Sequence, residues 1–231
     1  MGPAVHVPTV IIGGGHAGLA MSRRLTERSI SHVVLERGEV ANSWRHERWD
    51  SLRLLTPNWQ TRLPGAAYDG DDPDGFMTTS EIAMFLAQYA STISAQLKYC
   101  STVTRISQTS DGYADPTDGP RWACRSGARA GGACNPPTIP DCAEGVPHGN
   151  NHVNPLEYRS PDQLAAGGVL VVGAAATGIQ LADEIHRSGR PVTLSIGEDV
   201  RMPSLYRDRY IQFWLDAIGR LDERYDEVDD V

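Results

Sequence analysis

The 231-residue chain has no apolar run near the roughly 20 residues that cross a bilayer. Its longest, Val7 to Ile12 and Val169 to Val172, fall far short, so no membrane partner is expected. The start also lacks a charged region followed by a long apolar stretch, so no secretory leader is expected. Four cysteines, Cys100, Cys124, Cys134 and Cys142, include no Cys-x-x-Cys pair and no Cys/His grouping with zinc-ligand spacing. This speaks against a structural metal and against a dithiol redox enzyme, and fits scattered reduced thiols in the cytoplasm. Basic residues are the minority, 21 Lys and Arg against 29 Asp and Glu, for a formal net charge of −8. A phosphate-backbone binder would carry a basic stripe, so no nucleic-acid partner is expected.

With 40% hydrophobic residues the chain can bury an ordinary core. The hydrophobic pattern predicts strand, tight turn, helix and strand over Val7–Ile12, Ala17–Arg28 and Val33–Glu36. Thr78 and Glu81 form a capping box ahead of Ile82, Phe85, Leu86 and Tyr89, which share one face of a helix reaching about Ala95. Leu97–Cys100 and Val103–Ile106 read as short strands. Gly, Pro, Asp and Asn then crowd residues 110–151, where little order is expected.

A second βαβ unit comprises the strand Val169–Val172, a turn over Gly173–Gly178, a helix through Ser188, and the strand Val192–Ile196. Gly189 and Pro191 stop its helix. The expected fold class is therefore α/β, with two Rossmann-like dinucleotide-binding units in tandem over 1–160 and 161–231.

Gly13-Gly14-Gly15-His16-Ala17-Gly18 fits G-x-G-x-x-G directly after a strand and at the opening of a helix. Gly13 permits the turn, Gly15 lets backbone N–H groups approach a pyrophosphate, and Gly18 lets helix and strand pack closely. Glu36, at the end of the next strand, can accept hydrogen bonds from ribose hydroxyls and repels a 2′-phosphate, which favours FAD or NAD at this first turn. The bland alternative is a glycine-rich turn with a surface glutamate.

The second turn, Gly173-Ala174-Ala175-Ala176-Thr177-Gly178, matches more loosely. The Ala175 methyl crowds a pyrophosphate approach that a glycine leaves open, while Gly173, Thr177 and Gly178 keep the pattern. No acid ends the strand at Ser195-Ile196-Gly197. Arg201 and Arg207 follow, either as partners for a 2′-phosphate or as solvated surface charges.

The run Gly13–Gly18, then Leu35-Glu36-Arg37, Ser43-Trp44-Arg45, Ser51-Leu52-Arg53-Leu54 and Leu63-Pro64-Gly65 resembles the flavin-containing monooxygenase superfamily, especially its YUCCA-like members. The resemblance covers most of residues 7–107 and resumes near 154. It implies FAD contacts at Gly13, Gly15, His16, Ala17, Gly18, Glu36, Arg37, Trp44, Arg45 and Val103. At the second turn the expected NADPH contacts are Gly173, Ala175, Thr177 and Gly178, with Arg201 added where it meets a 2′-phosphate rather than solvent. The resemblance further implies that NADPH reduces the flavin and that oxygen and a small-molecule substrate are then consumed. That chemistry is the cofactor's, so no catalytic triad and no metal ligand is assigned.

Departures are specific. Asn154 stands four residues before Tyr158, where many members carry a histidine. Gly127–Gly132, with Arg129 inside it, is poor material for a buried parallel strand, so a weak or missing strand is expected there. The acidic stretch Asp222 to Asp230 closes the sequence soon after the second unit, which predicts an incomplete nucleotide fold, impaired activity, and self-association through exposed sheet edges. A flavin or NAD(P) reductase without oxygenation, and a nucleotide-binding protein without turnover, are the alternatives.

Overall fold

The computed structural model describes residues 4–115, 117–132, 137–147, 149–198, 203–224 and 226. The β-branched run at the start forms β1 (Val5–Ile12), followed by α1 (His16–Glu27) and β2 (His32–Leu35). β1 and β2 pair in parallel, with Val10 opposite Val33 and Ile12 opposite Leu35. A short helix, α2 (Asn42–His46), and a small hairpin, β3 (Arg62–Leu63) and β4 (Ala66–Ala67), lead to α3 (Thr79–Thr92).

The capping box forms as expected. The Thr78 hydroxyl oxygen accepts from the Glu81 N–H, and the Glu81 carboxylate accepts from the Thr78 N–H at 2.7 Å. Ile82, Leu86 and Tyr89 on the apolar face of α3, with Ile93 at its C-cap, are buried with Leu19 of α1 and with Val40 and Ala41 ahead of α2.

β5 (Leu97–Lys98), β6 (Ser107–Thr109), β7 (Gly112–Asp115) and β8 (Trp122–Arg129) complete one sheet in the order β5-β2-β1-β8-β7-β6. It is parallel from β5 to β8 and antiparallel from β8 to β6.

Two expectations are corrected. Val103–Ile106 is not a strand: Val103 makes a single bridge to Thr117, Ile106 is exposed, and regular pairing starts at Ser107. The apolar residues there mark one anchoring contact rather than a pleated, half-buried run.

Nor is the segment after residue 110 without order. β8 is a full strand, matched to β1 from Val5 opposite Trp122 to Ile12 opposite Arg129. Glycine and arginine are tolerated because the far half of β8 is not buried. Arg125, Ser126, Gly127 and Arg129 are exposed, and a Cβ at Gly127 would meet nothing within 4 Å. Backbone hydrogen bonds to β1 along its whole length, and to β7 over Trp122–Cys124, hold the strand without hydrophobic pressure on the side chains of its far half.

The second unit is smaller. β9 (Val169–Val172) and β10 (Val192–Ser195) pair in parallel, joined by α4 (Ala176–Arg187). Gly189 follows at φ +87°, the left-handed stop that its sequence position suggests. Val169, Val171 and Val192 face inward, whereas Leu170 (61% exposed) and Val172 (64% exposed) face solvent.

A hairpin, β11 (Leu205–Tyr206) and β12 (Arg209–Tyr210), and α5 (Ile211–Ala217) return to the first unit. The Phe76 and Tyr210 rings meet edge to face at 4.8 Å, and Arg62 pairs with Asp216 at 3.4 Å. A buried cluster of Trp49, Leu52, Tyr158, Leu181 and Ile185 joins the two units. Among the described residues, no helix is long and apolar enough to cross a membrane.

Candidate functional site

Two turns of matching geometry dominate the site. In the first, Gly13 takes φ +110°, and a Cβ there would stand 2.5 Å from the Ala130 carbonyl oxygen. A Cβ at Gly18 would stand 1.9 Å from the Gly13 oxygen, so the glycine lets α1 close onto the turn. At Gly15 the same test finds nothing within 4 Å. That open face lies at the N-terminus of α1, which has no side-chain cap and no acid in its first turn. Its first N–H groups are left for an external acceptor, and the helix dipole favours a negative one.

The second turn repeats this plan. Gly173 takes φ +99°, and a Cβ at Gly178 would stand 1.8 Å from the Gly173 oxygen. Ala175 caps α4 at φ −70° and ψ 177°, close to Gly15 at φ −87° and ψ −166°. The backbone therefore accepts alanine, and the exposed Ala175 methyl occupies space that Gly15 leaves open. Thr177 sits half-buried in the first turn of α4.

Glu36 directly follows β2 and is 7% exposed. Its Oε2 accepts from the Gly14 N–H at 2.7 Å and its Oε1 from the Gly38 N–H at 3.1 Å. Each carboxylate oxygen keeps a second lone pair, so the residue can hold the loop and still accept from a diol. His16, at the start of α1, packs edge to face on Trp44 at 6.2 Å. Burial holds its imidazole below the ordinary value of 6.5, favouring the neutral ring. On Trp44 also rests Arg48, 5.6 Å from the ring centroid.

The remaining expected contacts disperse. Ala17 is exposed on α1. Arg37 pairs with Glu47. Arg45 turns to Glu39 at 3.5 Å and lines a separate cleft of about 730 Å³ with Gly38, Val40, Ala90 and Leu97. Val103 packs with the Val10, Leu35 and Trp122 cluster. Arg201 lies outside the described residues. Arg207 occupies the β11–β12 turn, 5.2 Å from the Tyr206 ring centroid. Arg48, Arg159 and Glu184, which structure this region, went unmarked in the sequence because their partners are distant or main-chain. Among the described residues no cluster of three His, Cys, Asp or Glu could hold a metal ion.

The family model described as pyridine nucleotide-disulphide oxidoreductase matches residues 10–216, a span that holds both glycine turns and the helices they open. The chain belongs to that family. An uncharacterized CzcO-like oxidoreductase of Geobacillus kaustophilus is 32% identical over 217 residues, covering 93% of this chain and 62% of the relative. The indole-3-pyruvate monooxygenase YUCCA1 of Oryza sativa subsp. japonica is 25% identical over 201 residues, 84% of this chain and 48% of the relative.

A flavin-containing monooxygenase from Stenotrophomonas maltophilia superposes with a TM-score of 0.78 at 23% identity, over 91% of this chain and 63% of that one. This likeness fixes the fold. The chain thus spans about three fifths of the length of the CzcO-like relative and of this structure.

Proposed function

We propose that this chain provides the FAD-binding unit and the start of the NAD(P)H-binding unit of a monooxygenase-like flavin oxidoreductase, over 1–160 and 161–231. One observation carries the proposal: the first turn combines an open Gly15 face at a helix N-terminus with a buried, loop-anchored Glu36. That arrangement fits the pyrophosphate and adjacent ribose of a dinucleotide. Bound there, the flavin would supply the redox and oxygen chemistry. The protein's part is to bind and orient: Gly13, Gly15 and Gly18 shape the turn, Glu36 takes the ribose, and His16 and Trp44 wall the mouth. Arg37, Arg45, Ala17 and Val103 complete the proposed FAD set, and Gly173, Ala175, Thr177, Gly178 and Arg201 the NADPH set.

A small-molecule substrate and oxygen are the proposed partners, in a cytoplasmic setting. The sequence has no Cys-x-x-Cys pair, which favours oxygenation or simple reduction over dithiol chemistry. The exposed Leu170 and Val172 on β9 also favour self-association of this chain, read by light scattering as a mass above 25.1 kDa.

The test is an absorbance spectrum of the purified chain with FAD, followed by NADPH without air. A perturbed flavin band that bleaches with NADPH is expected. A chain that retains no flavin would overturn the proposal. Oxygen incorporated into a product separates a monooxygenase from a reductase.

A further inference from the structure

α2 has only five residues, and its N-cap, Ala41, sits at φ +61° without a side-chain hydrogen bond. A helix this short does not hold itself. Its far end is held from outside: the Arg159 guanidinium donates from Nη1 to the Arg48 carbonyl at 2.6 Å and from Nη2 to the His46 carbonyl. The Asp50 N–H in turn donates to the Arg159 carbonyl at 3.0 Å. Arginine suits this position, because its planar fork reaches two acceptors at once and its charge complements a helix C-terminus.

The preceding residue is tied to the other unit. Tyr158 is buried in the cluster joining the units, and its hydroxyl donates to Glu184 Oε2 of α4 at 3.0 Å. Burial and that carboxylate push its phenol well above the usual range, so it stays a donor at any physiological pH. One dipeptide is thus fastened on one side to the helix carrying Trp44 and on the other to the helix that opens at the second glycine turn.

We propose that Arg159 is a positioning residue: by clamping the His46 and Arg48 carbonyls it sets Trp44 against His16 at the first glycine turn and ties that placement, through Tyr158, to the second unit. The consequence for flavin rests on the FAD reading of the first turn; the placement of Trp44 does not.

The experiment uses the full chain in two arms. The Trp44 contribution to near-ultraviolet circular dichroism is isolated, without added FAD, by subtracting the spectrum of Trp44→Phe. FAD affinity is measured by fluorescence titration. Arg159→Ala is expected to lose the Trp44 band and to bind FAD about tenfold more weakly. Arg159→Lys, with one point donor in place of a fork, is expected to fall between, and free guanidinium is expected to restore part of both signals to Arg159→Ala. Arg187→Ala, which removes an exposed arginine paired with Asp183 on α4, should change neither.

Should Arg159→Ala fail to fold, Arg159→Lys decides. A Trp44 band equal to wild type in the deciding variant overturns the proposal. So does unchanged FAD affinity in a chain whose wild type binds FAD. If wild type binds none, the FAD reading falls, and the circular dichroism arm alone judges the clamp.

Discussion

The main-chain N–H of Gly14 is anchored to the buried carboxylate of Glu36 at 2.7 Å, so the glycine turn and the end of β2 are one mechanical unit. A second bond, from the Gly38 N–H, fixes the other oxygen at 3.1 Å. Glu36→Gln places an amide where two N–H donors converge and leaves one of them unmet. The variant is expected to lose about 1–3 kcal/mol of stability and to bind FAD roughly 10–100-fold more weakly. Urea unfolding and fluorescence titration measure the two effects. A variant that matches wild type in both would remove Glu36 from the site.

The glycines of the first turn separate by role. Gly18→Ala drives a methyl onto the Gly13 carbonyl, and Gly178→Ala does the same at Gly173. Each is expected to cost about 1–3 kcal/mol or more in thermal or urea unfolding. Gly15→Ala meets no protein atom, so its stability should fall by no more than about 1 kcal/mol, the cost of alanine at an N-cap, while FAD affinity drops.

Ala175→Gly should act in the opposite sense at the second turn. Its backbone angles already match those of Gly15, and an N-cap glycine is well tolerated, so the fold should be unaffected. Removing the methyl opens the approach to α4 and should tighten NADPH binding, measured by calorimetry. Weaker binding would count against a pyrophosphate at that turn.

His16 gives a pH signature. Burial lowers its folded value below 6.5, so between that lowered value and 6.5 the unfolded chain holds more protons than the folded one. Stability from this residue is full above 6.5 and is lost as pH falls through the window. His16→Gln should flatten the acid side of the urea midpoint against pH. Parallel wild-type and variant curves would mean that the imidazole is not protected from protonation.

The capping box on α3 gives a check independent of any ligand. Thr78→Ala should cost about 1 kcal/mol. The Glu81 carboxyl lies below its ordinary 4.5 because it accepts from the Thr78 N–H and hydroxyl, so this contribution is lost as pH falls through that range. Because the two side chains act together, Thr78→Ala with Glu81→Ala should cost less than the sum of the single changes.

What could be read in advance was local. Gly13, Gly15 and Gly18 act within six residues of one another, and Thr78 with Glu81 within a single turn, so residue type alone carries the signal. Glu36 was legible because its distance from the turn is set by one helix and one strand. β8 was not, because its partner β1 lies at the other end of the unit and its exposed half has no apolar alternation to betray it. The Arg159 clamp left no trace either: its acceptors are main-chain carbonyls, which every residue possesses. The twin turns also concealed a difference in scale, since among the described residues six strands join the first sheet and two the second.

Because β8 lies between β1 and β7, the first sheet stays unzipped along one side of β1 until Arg129 has left the ribosome. Until then Val5–Ile12 presents one bare strand edge, and the loop to be closed runs from residue 5 to residue 122. Closure over so long a loop is slow compared with hairpin formation. The β6–β7 hairpin, whose strands are joined within a few residues, can form first and give β8 a template. Nascent chains halted before residue 122 should therefore be the species that chaperones hold and proteases find.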